Sequence, residues 1–334
     1  MKEKIVKIIK SLSFLLFFAC ASSNASTLER CNKIFYAKVP PIIENALLSK
    51  DIYELCFSGF AVSYSGISKT GLWSASLLTP ESLKAAYQIK RNNTFHEEER
   101  IPFQHRSLLT DYRGSSFDRG HLSPSADRFT VQDQYESFSL VNMIPQSPHN
   151  NQEEWRLIEE ALRAFVTRNN QPVYVITGPL FLGNKLRKIG NNVLVPSHIY
   201  KVVLFPKLNV AGAYVAINDE SGRYDYVSIN QLQLYSGIKF FPKASQSEIF
   251  NYRFILPVNS HEAVNMKSFR VASNNSSAIF FQLPKQGSEN IPPISNQVNS
   301  MVKQNRSEMV NLATDAAKSN VNLVSDWVRR ILSK

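Results

Sequence analysis

The stretch NQEEWRLIEEALRAFVT, residues 151–167, carries the clearest structural pattern in the chain. Its large apolar residues recur at spacings of three and four, which places them on one face of a helix. These residues are Trp155, Ile158, Leu162 and Phe165. The stretch therefore predicts an amphipathic helix that packs its apolar face on a core.

Strands are predicted on both sides of this helix. Residues 55–64 and 71–78 are rich in β-branched and aromatic residues and are separated by Ser65-Gly66, which predicts a hairpin closed by residues 79–81. Further apolar and β-branched runs lie at residues 173–177, 193–205 and 212–217. Helices interspersed with short, non-repeating strands predict an α+β fold with a mixed central sheet and packed helices.

A polar stretch over residues 91–113 is predicted to be a surface loop and leads into Asp118-Arg119-Gly120-His121. Alternate side chains of an extended segment share a face, so Arg119 and His121 point the same way. Gly120 then leaves room for a backbone or phosphate to approach. A histidine with a pKa near ~6.5 can accept a proton from an attacking water. A lone histidine could equally serve to make a structural hydrogen bond, so the interpretation of His121 as a general base depends on the surrounding motif.

The predicted helix offers oxygen ligands for a metal. Asn151 lies near its start and Glu159 two turns later, about 80° round the axis, so both address the same region. An amide oxygen with water suits Mg²⁺, which is commonly completed by substrate phosphate. The sequence has no Cys/His cluster at zinc spacing. Asn151 could alternatively be a plain helix N-cap.

Positive charge indicates a polyanionic partner. The chain carries a net charge of +11, and residues 1–25 hold four lysines and one glutamate, which leaves +8 on the remainder. Arg91, Arg119 and Arg163 lie in or near the motifs, and a guanidinium can donate two parallel hydrogen bonds to a phosphate. Taken singly, each arginine could be a solvated surface charge. Together with the base and the metal ligand, they indicate phosphodiester hydrolysis.

The N-terminal sequence has the pattern of an export signal. Four lysines within residues 2–10, an apolar run over residues 12–19 and small residues at 23–25 predict a signal peptide over residues 1–25. The apolar run is far shorter than the ~20 residues of a membrane span. A lipid anchor on Cys20 is an alternative use of the same segment. We therefore expect an exported chain, periplasmic or extracellular.

Cys31 and Cys56 remain as an even pair in this exported chain. Such a pair favours a disulfide, although two free thiols stay open because the sequence fixes no geometry. Toward the other end, residues 261–285 form an extension of uncertain kind, and residues 286–304 have the composition of a low-complexity linker. Residues 305–334 are predicted to contain an amphipathic helix that docks on the domain or contacts a partner or membrane surface.

Three segments together resemble the DNA/RNA non-specific endonuclease family, the sugar-non-specific nucleases with a ββα-metal (His-Me finger) fold. They are DYRGSSFDRGHLSP (111–124), VNMIPQ (141–146) and NQEEWRLIEEALR (151–163). Further similarity appears in residues 60–79, 175–181 and 195–204. The resemblance covers roughly residues 31–260 and implies that this range forms the nuclease domain.

The resemblance implies a role for each motif residue. His121 would be the general base and Asn151 the direct Mg²⁺ ligand, with Mn²⁺ as a substitute ion. Glu159 would reach the ion through water, and Asp118 would orient the site from behind. All four residues stand at the family's motif positions.

The resemblance also implies that Arg91 holds and neutralises the scissile phosphate, assisted by Arg119 and Arg163. One departure is Glu153, which replaces the glycine usual in the family and adds negative charge beside the helix start. This departure concerns metal affinity more than catalysis. Glu153 and Glu154 could also simply stabilise the helix N-terminus.

The expected function is therefore that of an exported, Mg²⁺-dependent endonuclease that cuts DNA and RNA with little sequence preference and leaves 5′-phosphate ends. Contacts to backbone phosphates carry no sequence information, and no base-reading module is recognisable. One alternative is a nucleic-acid-binding protein that does not cleave, against which intact His121 and Asn151 argue. Another is a hydrolase of small phosphodiesters, which needs a narrower and less positive pocket. The sequence predicts no oligomeric state.

Overall fold

The structure is a computed structural model that describes residues 27–46, 48–183 and 186–272. Several predictions lie outside these residues: the signal peptide over 1–25, the lipid anchor at Cys20, the linker over 286–304 and the helix within 305–334. Within the described ranges, each helix is too short or too polar to cross a bilayer.

The described residues form the following elements. The strands, β1 to β15, are Ile42–Ile43, Ile52–Cys56, Ala61–Ser65, Thr70–Leu78, Asp118–His121, Met143–Gln146, Val173–Leu180, Lys188–Ile189, Val193–Leu194, His198–Phe205, Val210–Ile217, Tyr224–Val227, Ile238–Lys239, Phe254–Ile255 and Arg270–Val271. The α-helices, α1 to α7, are Pro80–Ala86, Leu109–Tyr112, Val131–Ser137, Pro148–Gln152, Glu154–Asn169, Ile229–Ser236 and Ser260–Asn265. Short 3₁₀ helices cover Thr27–Ile34, Tyr36–Lys38, Phe103–His105, Ser125–Asp127, Leu140–Asn142, Pro242–Ala244 and Glu248–Asn251.

A seven-stranded sheet with the order β12-β11-β10-β7-β4-β3-β2 forms the centre of the fold. The α+β class is confirmed, but each neighbouring pair in this sheet is antiparallel, where we predicted a mixed sheet. For four of the six pairs the physical reason is the connection: β2-β3-β4 and β10-β11-β12 follow one another through short loops, and parallel pairing would have needed long crossovers.

The predicted hairpin forms between β3 and β4, but the predicted strand over residues 55–64 is interrupted. Phe57 N–H donates to Phe60 O at 2.9 Å, and the two rings stack with centroids 4.5 Å apart. Aromatic residues thus fill a turn that the local pattern assigned to a strand. Thr79 does not close the hairpin, because its hydroxyl accepts from Ser82 N–H at 3.1 Å and caps α1.

Two predicted strand boundaries also differ. Strand β7 continues past Thr177 through Gly178-Pro179, which we expected to end it. Pro179 is tolerated because pairing with β4 ends at Thr177, so the missing N–H is not needed on that side. The predicted strand over residues 193–205 divides around Pro196 into β9 and β10.

The predicted helix over residues 151–167 is two helices, α4 and α5, that meet at Glu153 with φ −112° and ψ −91°. Asn151 therefore lies inside α4 and is not the N-cap of the long helix. The predicted apolar face of α5 is confirmed, and its four large residues are 1–3% exposed. Phe165 of this face packs on Phe205 of β10 with ring centroids 5.0 Å apart. Burying a Phe, Ile or Leu side chain contributes about 1.5–3 kcal/mol.

Two features extend and fasten the domain. Residues 261–272 pack on it: α7 contacts α5, and Phe269 lies against Phe165 with ring centroids 5.0 Å apart. Cys31 and Cys56 are joined in a disulfide with Cα atoms 5.8 Å apart, which ties the first 3₁₀ helix to β2.

Strand β5 pairs antiparallel with β6, and α5 follows, so these elements form a ββα unit beside the main sheet.

Candidate active site

A cleft of about 530 Å³ lies between β5 and α5. Its lining includes each residue that the sequence analysis assigned to catalysis or metal binding. These residues are Arg91, Asp118, Arg119, His121, Asn151, Glu159 and Arg163. Side chains spread over more than seventy positions of the sequence therefore converge on one surface. The individual roles of these residues stay predictions.

Strand β5 sets the direction of the motif side chains. Arg119 and His121 both line the cleft, as strand alternation requires. Gly120 between them is buried and faces the other way, where a Cβ atom would overlap the side chain of Gln146. The space that we predicted for a backbone or phosphate is therefore occupied by Gln146, and the glycine is required by packing.

His121 is held among aromatic rings. Its ring meets Phe138 edge to face at 4.9 Å between centroids and lies 5.9 Å from Phe95. Nε2 is buried without a hydrogen-bond partner among the described residues, whereas the residue remains partly exposed, which leaves Nδ1 as the nitrogen that can meet solvent. Burial lowers the pKa of His121 to about 3, and repulsion from Arg91 and Arg128 adds to the shift. The imidazole is therefore neutral at neutral pH.

Asp118 fixes the orientation of the Asn151 amide. Its Oδ2 accepts from Asn151 Nδ2 and from Gln152 Nε2, both at 2.8 Å. An ionised carboxylate only accepts hydrogen bonds, so the amide nitrogen faces Asp118 and Asn151 Oδ1 faces away from it. Gln152 was not predicted as a site residue, although its place directly after Asn151 was the available signal.

The donor set fits a hard cation. Asn151 Oδ1 accepts no hydrogen bond from the residues that the structure describes, and Glu159 adds a carboxylate at the same cleft. No group of three or more His, Cys, Asp or Glu side chains that could hold a metal occurs in the described part of the chain. An ion here would depend on the amide oxygen, water and a substrate phosphate, which is the coordination that Mg²⁺ commonly adopts.

Ion pairs hold the charged groups on α5. Glu159 Oε1 lies 3.5 Å from Nζ of Lys201, which is 1% exposed and donates to Thr177 at 2.8 Å. Burial raises the pKa of Glu159 and lowers the pKa of Lys201, and each partner opposes the shift of the other. Arg163 Nη1 donates to Asp127 at 2.9 Å. Sequence reasoning missed Lys201 and Asp127; the signal for Lys201 was a lysine inside an apolar strand.

Aromatic rings support the other two arginines. The Arg119 guanidinium carbon lies 4.1 Å from the ring centroid of Phe95. Arg91 lies 5.5 Å from the centroid of Phe138 and donates to Asn93 at 2.8 Å. A guanidinium resting on a ring face keeps its in-plane N–H groups available for a phosphate. Arginines therefore line the cleft on both the β5 side and the α5 side.

The chain belongs to the DNA/RNA non-specific endonuclease family, which it matches over residues 40–247. It is therefore an endonuclease of a family whose members are metal-dependent and hydrolyse phosphodiester bonds. The resemblance inferred from the three motif segments is confirmed.

Individual relatives agree with this assignment. The chain is 36% identical to the mitochondrial endonuclease G of Bos taurus over 218 residues, which cover 59% of this chain and 69% of that protein. It is 33% identical to nuclease C1 of Cunninghamella echinulata var. echinulata over 210 residues, 57% and 83% of the two chains. A crystal structure of an EndoG/EndoGI complex matches with a TM-score of 0.52 and 26% identity, covering 66% of this chain and 93% of that chain. The ββα-metal fold is confirmed by this likeness.

Proposed function

We propose that this endonuclease is Mg²⁺-dependent, accepts Mn²⁺ as a substitute, and cuts both DNA and RNA with little sequence preference. The observation that carries the proposal is the convergence of a neutral imidazole, a free amide oxygen and three arginines on one cleft. Each of these groups would contact a bound phosphate or the atoms next to it. Contacts to phosphates carry no base identity, so the same cleft serves many sequences.

His121 acts as the general base in this proposal. Nδ1 takes a proton from a water that attacks phosphorus, which requires the tautomer with hydrogen on Nε2. The P–O3′ bond breaks with its electron pair leaving on O3′, which takes a proton from solvent, so that a 5′-phosphate and a 3′-hydroxyl result. A base with a pKa of about 3 accepts protons poorly. A bound phosphate places negative charge near Arg91, opposes the repulsion from that arginine, and so moves the pKa of His121 upward.

Asn151 Oδ1 would hold the cation directly, and Glu159 would reach it through water. Asp118 keeps the amide oxygen pointed away from itself by accepting from the amide nitrogen. When bound, the ion supplies positive charge that stabilises the negative charge developing on the phosphate. Arg91, on the loop before β5, would bind the scissile phosphate oxygens.

Arg119 and Arg163 approach the cleft from opposite walls. Arg119 extends from β5 over an aromatic ring, and Arg163 extends from α5 in an ion pair with Asp127. Both side chains are partly buried, so their donors are held in place before the substrate arrives. We assign them to charge neutralisation around the phosphate as the reaction proceeds.

Cleavage of supercoiled plasmid, single-stranded DNA and RNA, each with Mg²⁺, with Mn²⁺ and with chelator, tests the proposal. We expect nicking of the plasmid and degradation of both other substrates with either ion, and none with chelator. Binding of all three substrates without cleavage would indicate a binding protein. Hydrolysis restricted to small chromogenic phosphodiesters would contradict action on polynucleotides. Cleavage that persists in chelator would contradict the metal requirement.

We also propose that the chain is exported to the periplasm or the extracellular space. The N-terminal sequence supports export, and a disulfide between Cys31 and Cys56 fits an oxidising compartment. Cell fractionation with N-terminal sequencing of the recovered protein tests export. Fatty-acid labelling of the wild type and of Cys20→Ser separates a lipid anchor from a cleaved signal. Recovery of an uncleaved, unlabelled chain from the cytoplasm would contradict the proposal.

A further inference from the structure

A second cavity, of about 890 Å³, adjoins the active-site cleft. It lies between α1 and the C-terminal half of α5 and is named here the α1 groove. The groove and the cleft share part of their lining, namely Arg91, Ser125, Ala126 and Arg163. A polynucleotide bound with its scissile phosphate at these arginines must continue along an adjoining surface. The α1 groove begins at the same arginines.

The α1 groove has an apolar floor and an aromatic rim. Leu83, Ala86 and Ala164 line the floor, and Leu83 and Ala86 are buried. Tyr87, directly after α1, is 89% exposed, and its side chain makes no ring contact or hydrogen bond with the described residues. An exposed aromatic face beside an apolar surface is what the flat face of a nucleobase stacks on.

The charge of the α1 groove is complementary to nucleic acid. Its lining contains the cations Lys84, Arg91 and Arg163 and the single carboxylate of Glu81. Lys84 and Arg91 are exposed, so their charges can reach a phosphate. The combination of an excess of cations with an apolar floor matches the two parts of a nucleotide, phosphate and base. A volume of about 890 Å³ also lies in the usual range for a bound organic ligand.

We propose that the α1 groove is a nucleotide subsite that receives an unpaired base next to the scissile phosphate, stacked on Tyr87. This inference rests on the proposed function, because it assumes that the scissile phosphate lies at Arg91 and Arg163. A base inside a duplex has both faces covered by its neighbours and cannot enter. The subsite therefore makes the enzyme prefer single-stranded DNA and RNA over a duplex of the same sequence.

The test compares Tyr87→Ala and Tyr87→Phe with the wild type on one single-stranded DNA and on its blunt duplex. We expect Tyr87→Ala to lower kcat/KM on the single strand by at least about fivefold, the loss typical of removing a stacking aromatic, with little change on the duplex. Tyr87→Phe keeps the ring and should retain the wild-type ratio. The matched control is Phe103→Ala, which removes an aromatic ring that is 67% exposed and lines neither cavity.

A binding measurement keeps the subsite testable without cleavage. A single-stranded oligonucleotide containing 2-aminopurine, mixed with the enzyme in chelator, should lose fluorescence on binding through stacking, and Tyr87→Ala should abolish that loss. Unchanged quenching and an unchanged single-strand preference in Tyr87→Ala would overturn the subsite. An equal fall on both substrates would also overturn it. Quenching that depends on Tyr87 in a protein that cleaves nothing would support the subsite and contradict the proposed function.

Discussion

The two walls of the active-site cleft hold their side chains by different means. On β5, Arg119 rests on an aromatic ring, and His121 is enclosed by two such rings. On α5, Glu159 and Arg163 are each held by an oppositely charged partner. The strand wall thus surrounds a neutral imidazole with aromatic rings, and the helix wall pairs Glu159 and Arg163 with side chains of opposite charge.

The difference follows from what a low-dielectric environment does to each kind of group. Burial disfavours the charged form, so it leaves the imidazole neutral and lowers its affinity for a proton. The same burial raises the pKa of Glu159, and the positive charge of Lys201 opposes that rise. Substitutions on the strand wall should therefore change the reaction rate with little effect on folding, whereas breaking a pair on the helix wall should lower stability.

The largest expected effect is that of His121→Ala. General-base catalysis contributes about 10²–10⁴-fold to a rate, so the single-turnover rate on plasmid should fall by that factor. Binding of an oligonucleotide in chelator should persist, because the arginines that we propose to bind phosphate remain. Added imidazole should restore part of the rate. A purified His121→Ala protein with full nuclease activity would show that the strand wall does not supply the base.

Lys201→Met should lower the free energy of unfolding by about 3–5 kcal/mol, because it removes the buried cation that is paired with the largely buried carboxylate of Glu159. Urea denaturation measures this change. Lys207→Met, at an exposed lysine, is the control and should leave the midpoint almost unchanged. The double variant Lys201→Met with Glu159→Gln should recover much of the loss. A double variant less stable than Lys201→Met alone would show that the pair is not what holds the helix wall.

The strand wall was more predictable from the sequence than the helix wall. The geometry of the contiguous motif around His121 can be predicted locally, because strand alternation alone puts Arg119 and His121 on one face. The partner of Glu159 is Lys201, forty-two positions away on β10, and only the packing of α5 on the sheet brings them together. A local sequence pattern does not show which distant residues pack together, which is why the ion pairs were missed.

The same limit explains the errors in the fold. The apolar spacing predicted α5 correctly but gave no sign of the break at Glu153, where the backbone leaves helical geometry. Strand content was predicted, whereas strand direction depends on which segments pair, and the sheet proved antiparallel rather than mixed. The turn between β2 and β3 was not predicted, because it contains Phe57 and Phe60, and phenylalanine is a residue type typical of strands.

Asp118→Asn tests the contact between the strand wall and α4, since Asp118 lies on β5 and Asn151 on α4. An asparagine oxygen at position 118 can still accept from both neighbouring amides, but it lacks the negative charge that strengthens these hydrogen bonds, so it holds the Asn151 amide less firmly. Mutation of such a supporting hydrogen-bond partner typically lowers metal affinity or activity by about 10–100-fold. Titration of Mg²⁺ in the plasmid assay should show a higher concentration for half-maximal activity. Gln152→Ala, which leaves the Asn151 contact intact, should have the smaller effect.

The smallest expected effect is on stability as a function of pH. His121 has a folded pKa of about 3 and an unfolded pKa near ~6.5, so the unfolded state binds more protons between these values. Stability is then lost as pH falls below about 6.5. From pH 7 to 5.5 the contribution of His121 should be about 1 kcal/mol of lost unfolding free energy. His198 on β10, whose pKa burial lowers to about 4, should add a similar amount.

Urea denaturation in chelator at several pH values separates the two histidines. His121→Ala should show a smaller loss from pH 7 to 5.5 than the wild type, because one buried neutral imidazole is gone. His261→Ala removes an exposed histidine on α7 and serves as the control with the wild-type slope. If His121→Ala keeps the full wild-type slope, the imidazole is not held neutral by its aromatic surroundings, and the contrast between the two walls fails at the proposed general base.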